Sequence, residues 1–569
     1  MNATAPVSEP QPRVEAMYAP ASAPNSYAQD WVERVGPHWR AELAVLGVIV
    51  FAAGLLAPLQ DLDLGMHLAT GEWIVEHRRV PMVEPFAWTR EGAPFYSYSW
   101  LLEVLSYLGY ALVGTTGLRV LNALLVLATG ASVVLLGREL RWRPWIVLAM
   151  ATLNLAMASF VAASLRPQLI LFSALPLAWA LTHRILHADR FRWAAAGLFA
   201  VCAIVANVHL FFFLAAVPAF LMVLERVPER RRLLALGGAT VAGWLASPYA
   251  LIWPSVFALY LAPNPMLTYP SPIFELWPGF LIAAQAPGVA IIAAGLALLP
   301  WALATAPLTA RARLGYGVVW LGGLALFSLA ARALAIWWLT LLPLAAQTLG
   351  RLSGPVSPRA IVANKVAMYA AFLLLLTNRA LTGGEDLIRG RSPGSRQLQS
   401  GAGQWIDPLV GWLECSTRAP ASGRIFTVFN FGSYLTWRLP TYSSSIDGRT
   451  IFPDSVALPE SYYLMDVRGP HYGPWASADL AILPQEHATT AALDTARGWQ
   501  RAAVTIAKGQ SVATGVALWV RSDWWRKVGA GPVPSMPIVM ERRVGSVGSP
   551  PVGCARDDAR GAAQSVARG

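Results

Sequence analysis

The chain has 569 residues, of which 55% are hydrophobic and only 13% charged, and its formal net charge is +12. This hydrophobic share exceeds what a soluble core of this size needs, so composition excludes a soluble enzyme and indicates an integral membrane protein. The excess positive charge is explained by arginines between apolar segments, and we expect no nucleic-acid partner.

The N-terminal region is rich in Pro, Ala and Ser and has no apolar segment typical of a cleaved signal. We expect residues 1–40 to form a disordered cytoplasmic tail. The first apolar run, AELAVLGVIVFAAGLLAPL, follows this tail, and further runs recur between Leu118 and Thr377. Each run is long enough to cross a hydrocarbon core of about 30 Å, so residues 41–378 are expected to form an α-helical polytopic domain with about eleven transmembrane helices.

Short basic loops between the apolar runs define the expected orientation. They occupy residues 138–143, 184–192, 226–232, 311–313 and 351–365. Because loops rich in Lys and Arg stay in the cytoplasm, we place these loops and the N terminus there. Residues 60–117 then form a large first outer loop, and the chain beyond Asn378 is extracytoplasmic.

The segment WLLEVLSYLGYALVG, residues 100–114, is short for a membrane span and carries Glu103. We interpret it as an amphipathic helix at the outer interface, with Glu103 on a solvated face; a short tilted span is the alternative.

Beyond Asn378 the sequence becomes polar, and short β-rich runs alternate with Gly, Pro and Ser turns. The runs are RIFTVFNF, SYLTWRL, DLAILP, AAVTIA and VALWVRS. They predict a small extracytoplasmic α/β domain over residues 379–528, followed by a disordered tail over residues 529–569.

The sequence DLDLGMHLATGEW, residues 61–73, places Asp61, Asp63 and His67 directly after the first span. Ionisable groups next to a membrane span are energetically costly and usually have a function, so these three are candidate site residues. The structural alternative is that Asp61 and Asp63 serve the N-terminus of a helix beginning near Leu64.

Other polar residues lie at the outer ends of the apolar runs, where few turns need a charge to fold. They are Arg166 and Gln168, Asn207 and His209, Tyr249, Glu275, and Arg332. Their shared side suggests a polar cavity that opens outward. Four of these residues also have a purely structural interpretation. Arg166 and Arg332 could extend along the apolar surface to place their charges at the membrane interface. Asn207 and His209 could cap and pack helix ends. Asp447 and Arg449 in the outer domain are interpreted as a turn with an ion pair, or as part of an acceptor-binding cap.

The chain resembles the GT-C superfamily of polyprenol-dependent glycosyltransferases, in a bacterial branch with a first outer loop of the form D-x-D-x-x-x-H-L-x-T-G. The matching residues are Asp61, Asp63, His67, Leu68, Thr70 and Gly71, with further matches at RPQ (166–168), N-x-H (207–209), SPY (247–249), FNFGSYLTWRL and IDGRT. Leu64, Gly65 and Met66 stand where this branch has more aromatic residues. The resemblance covers residues 41–525 and implies a GT-C-like fold in the bacterial cytoplasmic (inner) membrane.

The resemblance also implies transfer of a sugar from a polyprenyl-phosphate-linked donor to a glycan, lipid or protein acceptor. Asp61 or Asp63 would be the catalytic base. The donor phosphate or sugar would be bound by His67, Arg166, Gln168, Asn207, His209 and Arg332. Glu103, Tyr249, Glu275, Asp447 and Arg449 would lie on the acceptor side.

Two carboxylates suit Mg²⁺ or Mn²⁺ but do not by themselves establish a metal site, and we assign none. Two other classes remain open: a non-catalytic scaffold for envelope-polysaccharide assembly, and a transporter or flippase, which would usually show internal repeats.

Overall fold

The structure is a computed structural model. It describes residues 39–57, 59, 63–161, 165–263, 265–266, 280–282, 299–305, 308–352, 402–415, 419–457, 474–487, 489–507, 515–528, 533 and 538–542, with single positions between 293 and 296 and between 363 and 377. Of the residues singled out above, Asp61, Glu275, residues 1–38 and most of residues 529–569 lie outside this description.

The N-terminal part is a helical bundle. Its helices are α1 (Trp39–Leu56), α2 (Leu64–His77), α3 (Trp100–Val113), α4 (Thr115–Glu139), α5 (Pro144–Val161), α6 (Gln168–His187), α7 (Arg192–Ala206), α8 (Val217–Glu225), α9 (Arg230–Leu245), α10 (Trp253–Leu261), α11 (Leu299–Thr305), α12 (Ala310–Leu329) and α13 (Ala333–Leu352). One large apolar core runs through α3 to α13. The buried Trp179 and Trp337 are among its largest side chains.

Within the described residues, four helices are long and apolar enough to cross a membrane: α4, α6, α12 and α13. Shorter apolar helices accompany them, including α1, α3, α5 and α7. The prediction of a polytopic helical membrane protein is therefore confirmed in kind. The count of about eleven spans stays a prediction.

The C-terminal part contains a six-stranded sheet. Its elements are α14 (Ala402–Cys415), β1 (Gly423–Thr427), α15 (Phe429–Arg438), β2 (Tyr442–Ser444), β3 (Leu480–Pro484), α16 (Thr489–Thr495), β4 (Trp499–Ala507), β5 (Val516–Arg521), α17 (Ser522–Lys527) and β6 (Ile538–Arg542). The strand order is β2-β1-β3-β5-β4-β6. β1 pairs in parallel with β2 and β3, β5 is antiparallel to β3 and β4, and β4 is parallel to β6. The runs DLAILP, AAVTIA and VALWVRS form strands as expected.

The run SYLTWRL, expected to be a strand, lies instead in the helix α15, and this prediction was wrong. Residues 431–436 of this helix are all buried, because α15 packs against α2 of the bundle and against α14 and β2 of its own domain. A helix buried on nearly every face has no amphipathic periodicity in its sequence. Its β-branched and aromatic residues then give it a composition typical of a strand.

The expected boundary of the outer domain at residue 528 was also wrong, because β6 lies beyond it. Ile538 to Arg542 pair in parallel with Ala503 to Ala507 of β4. The segments on both sides of β6 are rich in Gly and Pro, which is typical of a loop, so nothing in the sequence indicated this five-residue edge strand.

The first outer loop joins the two parts. Between α2 and α3, Ala87 forms a parallel bridge with Ser444 at the end of the edge strand β2. The Trp88 indole donates to the Ile425 carbonyl (3.1 Å), and the Thr89 hydroxyl donates to the Ser445 carbonyl (2.6 Å). The outer loop thus covers the sheet edge and fixes the C-terminal domain over the bundle.

Candidate functional site

The helix α2 begins at Leu64, as expected, and Asp63 is its N-cap residue. The Asp63 side chain makes no capping hydrogen bond to α2, so side-chain capping does not explain this carboxylate. It lies instead against the backbone of Gly448: a Cβ added at Gly448 would be only 1.8 Å from Asp63 Oδ1. The first outer loop and the IDGRT segment therefore meet at this carboxylate.

A second close approach stabilises this contact. A Cβ at Gly65 would lie 2.5 Å from the Ser433 carbonyl oxygen, and the Gly448 N–H donates to Ser433 Oγ (2.8 Å). Only glycine at position 65 lets α2 pack this closely on α15. This close packing explains why glycine, and not the larger residue expected from the family pattern, stands at position 65.

His67 and Glu103 form a pair where α2 packs against α3. His67 Nδ1 lies 3.1 Å from Glu103 Oε1. The same carboxylate accepts hydrogen bonds from Ser99 Oγ (2.8 Å) and Ser97 Oγ. Glu103 is only 5% exposed, so the expectation that it lies on a solvated face was wrong, because these donors replace water around it.

Asn207 follows the last residue of α7 and occupies the expected turn. Its Oδ1 accepts a hydrogen bond from the Trp100 indole (2.7 Å), and its amide donates to the carbonyls of Ala203 and Ala246. These bonds join α7 to the start of α3 and the end of α9. The side chain of Asn207 therefore connects three helices, which agrees with the alternative that it caps and packs a helix end.

His209 lies two residues further on, and its Nδ1 accepts a hydrogen bond from the Phe211 N–H (3.0 Å). Burial, with a smaller contribution from the Arg332 charge, lowers the pKa of His209 to about 3. The ring is therefore neutral, and its proton is on Nε2.

Tyr98 lies among the charged candidates. The pKa of Tyr98 is raised to about 12, chiefly by burial; Arg332 opposes this shift, and the Glu103 and Asp63 carboxylates add to it. Arg332 is an exposed residue in the turn between α12 and α13, and it acts on both Tyr98 and His209. Residues from four distant parts of the chain thus share one electrostatic neighbourhood.

The remaining candidates occupy the expected helix ends. Arg166 is half-buried just before α6, and Gln168 is the first residue of that helix. Tyr249 is completely buried after α9, with its ring 5.9 Å from that of Tyr96 in the outer loop.

Asp447 and Arg449 form the expected ion pair, with Arg449 Nη2 2.6 Å from Asp447 Oδ2. Arg449 also binds both oxygens of Glu84 in the first outer loop (2.7 and 2.9 Å). The side chains of Glu84 and Asp447 are 0% exposed and that of Arg449 is 9% exposed. Burial raises the pKa of Asp447 even though the Arg449 guanidinium opposes the shift.

Sequence reasoning did not select Glu84, Ser97, Ser99 or Tyr98 as site residues. The segment EHRRVPMVEPFAWT contains Glu84, but its partner Arg449 lies 365 residues away in the chain. An acidic residue among apolar neighbours in an outer loop was the available signal. Among the described residues, no group of three His, Cys, Asp or Glu side chains is placed to hold a metal ion.

Comparison with known proteins gives a fold but no close relative. No protein-family profile matches the chain, and no curated protein matches it significantly. Several solved structures are similar in fold, including ArnT, AftD and AglB. ArnT from Cupriavidus metallidurans, bound to undecaprenyl phosphate, has a TM-score of 0.50 and 16% identity over 85% of this chain and 98% of its own.

The mycobacterial arabinofuranosyltransferase AftD has a TM-score of 0.51 and 15% identity over 84% of this chain and 41% of its own. The oligosaccharyltransferase AglB from Archaeoglobus fulgidus, in complex with an inhibitory peptide and a dolichol-phosphate, has a TM-score of 0.51 and 11% identity over 80% of this chain and 70% of its own. The chain therefore has a GT-C-like membrane fold, as the sequence resemblance predicted. At these identities the likeness establishes the fold alone.

Proposed function

We propose that this protein is a membrane glycosyltransferase that moves a sugar from a polyprenyl-phosphate-linked donor to an envelope glycan, lipid or protein acceptor. One observation carries the proposal: within a GT-C-like fold, Asp63, the His67–Glu103 pair and Arg332 are linked through their electrostatic interactions with Tyr98, and Arg332 also acts on His209. Carboxylates beside cationic groups are what sugar transfer from a lipid phosphate requires.

In the proposed reaction, the acceptor hydroxyl oxygen attacks the anomeric carbon of the donor sugar. The bond from that carbon to the phosphate oxygen breaks, and its electron pair leaves on the polyprenyl phosphate. The hydroxyl proton passes to Asp61 or Asp63. Arg166, Arg332 and His67 stabilise the phosphate charge.

The acceptor enters, in this proposal, between the first outer loop and the C-terminal domain. Tyr249 and Glu275 are the candidate contacts from the bundle. Asp447 and Arg449 are buried at the junction, so we assign them the task of holding the domain in place. The reaction takes place at the outer face of the bacterial cytoplasmic membrane, because the basic loops place the opposite face inside.

The proposal assigns no metal, but a Mg²⁺ or Mn²⁺ ion held by Asp61 and Asp63 is a testable addition to it, because carboxylate oxygens suit both ions. Loss of transfer on addition of EDTA, restored by excess Mg²⁺ or Mn²⁺, would support it. If EDTA left the rate of sugar transfer unchanged, the hypothesis of a metal ion at this site would be rejected.

The test is mass spectrometry of envelope glycans and lipid-linked sugars from cells that lack the gene. The cells are complemented with wild type, with Asp61→Asn plus Asp63→Asn, or with Glu76→Gln as the matched control. Glu76 is an exposed carboxylate on α2. We expect wild type and the control to restore the missing sugar and the double variant to fail.

The outcome separates the three classes of function. Restoration by the double variant at equal membrane levels would contradict the transferase and favour a scaffold. Accumulation of the lipid-linked sugar on the cytoplasmic side of the deletion strain, and not on the outer side, would favour a flippase. A membrane-impermeant label on a cysteine added after Gly569 checks the orientation, and we expect it to react from outside.

A further inference from the structure

The end of the sheet at which β1, β3 and β4 begin carries polar and aromatic side chains in one row. The Asp479 N–H donates to the Arg424 carbonyl (2.9 Å), the Arg521 N–H donates to the Asp479 carbonyl (2.9 Å), and Trp499 is the ladder partner of Arg521. Partners on neighbouring strands point to the same face of a sheet. These four residues therefore cross β1, β3, β5 and β4 in a row that is about 14 Å long at the usual strand spacing.

Two further tryptophans lengthen this row. Trp475, in the turn before β3, has its ring centre 6.0 Å from that of Trp499 in an edge-to-face arrangement. At the other end, the guanidinium carbon of Arg424 lies 6.0 Å from the ring centre of Trp88 in the first outer loop. All three indoles are half-buried, so part of each ring reaches the solvent. We call this surface the sheet-end row; it consists of Trp88, Arg424, Asp479, Arg521, Trp499 and Trp475.

Carboxylates compensate the positive charges of the row. Arg424 Nη2 lies 3.3 Å from Glu91 Oε2, and Asp479 Oδ2 accepts the Arg424 N–H (3.0 Å). Arg521 lies 3.4 Å from Asp479 Oδ1 and 3.2 Å from Asp523 Oδ1. An anionic lipid headgroup or a nucleic acid would need positive charge that is not compensated in this way. The row instead offers hydrogen-bond donors and acceptors side by side, which suits a polar ligand of low charge.

The core on this face of the sheet is closed one step further along the strands. Trp519, two residues before Arg521 on β5, is completely buried, and its indole donates to Asp494 of α16 (2.8 Å). The three half-buried indoles lie at the rim of this core. Large apolar rings that stay partly exposed next to polar groups mark a binding surface.

We propose that the sheet-end row binds the acceptor as an oligosaccharide chain. The face of an indole ring carries partial negative charge, and the C–H bonds on one face of a sugar ring are slightly positive, so the two stack. Trp88, Trp475 and Trp499 provide the stacking faces. The hydroxyl groups at the rim of a sugar both donate and accept hydrogen bonds, and the Arg521 guanidinium and the Asp479 carboxylate supply matching partners.

The position of the row indicates which part of the glycan it holds. Gly448, which contacts Asp63, lies just beyond the end of β2, and β2 runs parallel to β1. The Asp63 carboxylate therefore meets the sheet at the end opposite to the row, and a chain bound to the row is held at a distance from the sugar unit that reacts. This inference rests on the proposed function and deepens it, because it selects a glycan among the three classes of acceptor.

The test measures retention of oligosaccharides by the purified full-length protein in immobilised nanodiscs. The probe is the pool of oligosaccharides released by mild acid from the envelope of cells that lack the gene, with a fluorescent label at the reducing end. We expect Trp475→Ala and Trp499→Ala each to weaken retention by about two- to ten-fold, the strength of one contact to an aromatic face. The matched control is Trp193→Ala, which removes a tryptophan that is 87% exposed on α7 and should retain the pool like wild type.

Two further kinds of variant keep the result specific if an alanine variant folds poorly. Trp499→Phe keeps an aromatic face and should retain most of the binding, whereas Trp499→Leu keeps only apolar bulk and should lose it. Arg424→Met removes a side chain that is 48% exposed, so it should melt like wild type and still bind the pool more weakly. Equal retention by the Phe and Leu variants would overturn stacking as the mode of recognition.

Periodate, which cleaves sugars between adjacent hydroxyl groups, should abolish retention of the pool. Retention that survives periodate and is lost after protease treatment would identify a peptide ligand and overturn the assignment. Wild-type protein that retains none of the pool would overturn it as well.

The two proposals can fail separately. Wild type that restores the missing sugar in cells but retains no oligosaccharide would remove only the sheet-end row as a glycan site. Retention that depends on Trp475 and Trp499, in a protein that restores no sugar, would keep this inference and remove the proposed transfer.

Discussion

The position of the Asp63 carboxylate depends on the absence of a side chain at Gly448. A Cβ there would lie 1.8 Å from Asp63 Oδ1 and 2.8 Å from Ser433 Oγ. Because the carboxylate is the end of a rotatable side chain, Gly448→Ala should displace Asp63 and leave the fold intact. We expect transfer activity to fall by about ten-fold or more, since small displacements of a catalytic group are costly, with little change in melting temperature.

The control for this prediction is Gly411→Ala in α14 of the same domain, where an added Cβ meets nothing within 4 Å. It should keep full activity and gain up to about 1 kcal/mol of stability, because alanine is the better helix former. Full activity in Gly448→Ala would remove Asp63 from the reacting centre and leave Asp61 as the candidate base.

At the scale of elements, the crossing of α2 and α3 determines where His67 and Glu103 meet. Gly71→Ala would place a Cβ 2.2 Å from the Glu103 carbonyl oxygen and 2.8 Å from Tyr107 Cβ. Helix backbone cannot rotate away as a side chain can, so we expect a loss of about 1–3 kcal/mol. A lower melting temperature in detergent, at a fixed scan rate, measures it. Gly238→Ala in α9, with open space around its Cβ, should melt at or above the wild-type temperature, because alanine is the better helix former; equal melting of both variants would contradict the close crossing.

Elements with one strong local signal were predictable from the sequence. The start of α2 at Leu64 follows from the Asp63 position, and the turn at Asn207 follows from polar residues that interrupt an apolar run. The helix α15 was not predictable, since burial on most of its faces removes the periodicity on which the prediction depends. The Glu84–Arg449 contact was not predictable either, because nothing local to either residue specifies a partner 365 positions away.

The whole molecule depends on how firmly the first outer loop holds the C-terminal domain. The loop contributes Glu84, whose Oε1 also accepts the backbone N–H groups of Phe86 and Ala87. The domain contributes Asp447 and Arg449, and the guanidinium carbon of Arg449 lies 4.6 Å from the ring centre of Phe95 in the loop. Arg449 therefore bridges two buried carboxylates, one from each part, and Arg90 of the loop lies at a longer distance, 3.8 Å, from Glu84.

Arg449→Met should accordingly loosen the whole assembly. It leaves Glu84 and Asp447 buried without their shared cation, and loss of one partner from a buried ion pair costs about 3–5 kcal/mol. We expect a lower melting temperature and faster cleavage of the C-terminal domain in limited proteolysis. The matched control is Arg424→Met, which breaks a contact between the same two parts, to Glu91, where the side chains are 48% and 76% exposed. An exposed pair contributes about 0–1 kcal/mol, so this variant should resist protease like wild type. If Arg449→Met resisted equally well, the sheet-edge contacts of residues 87–89 and the packing of α2 on α15 would be sufficient to hold the domain, and the buried cluster would have no part in positioning the site.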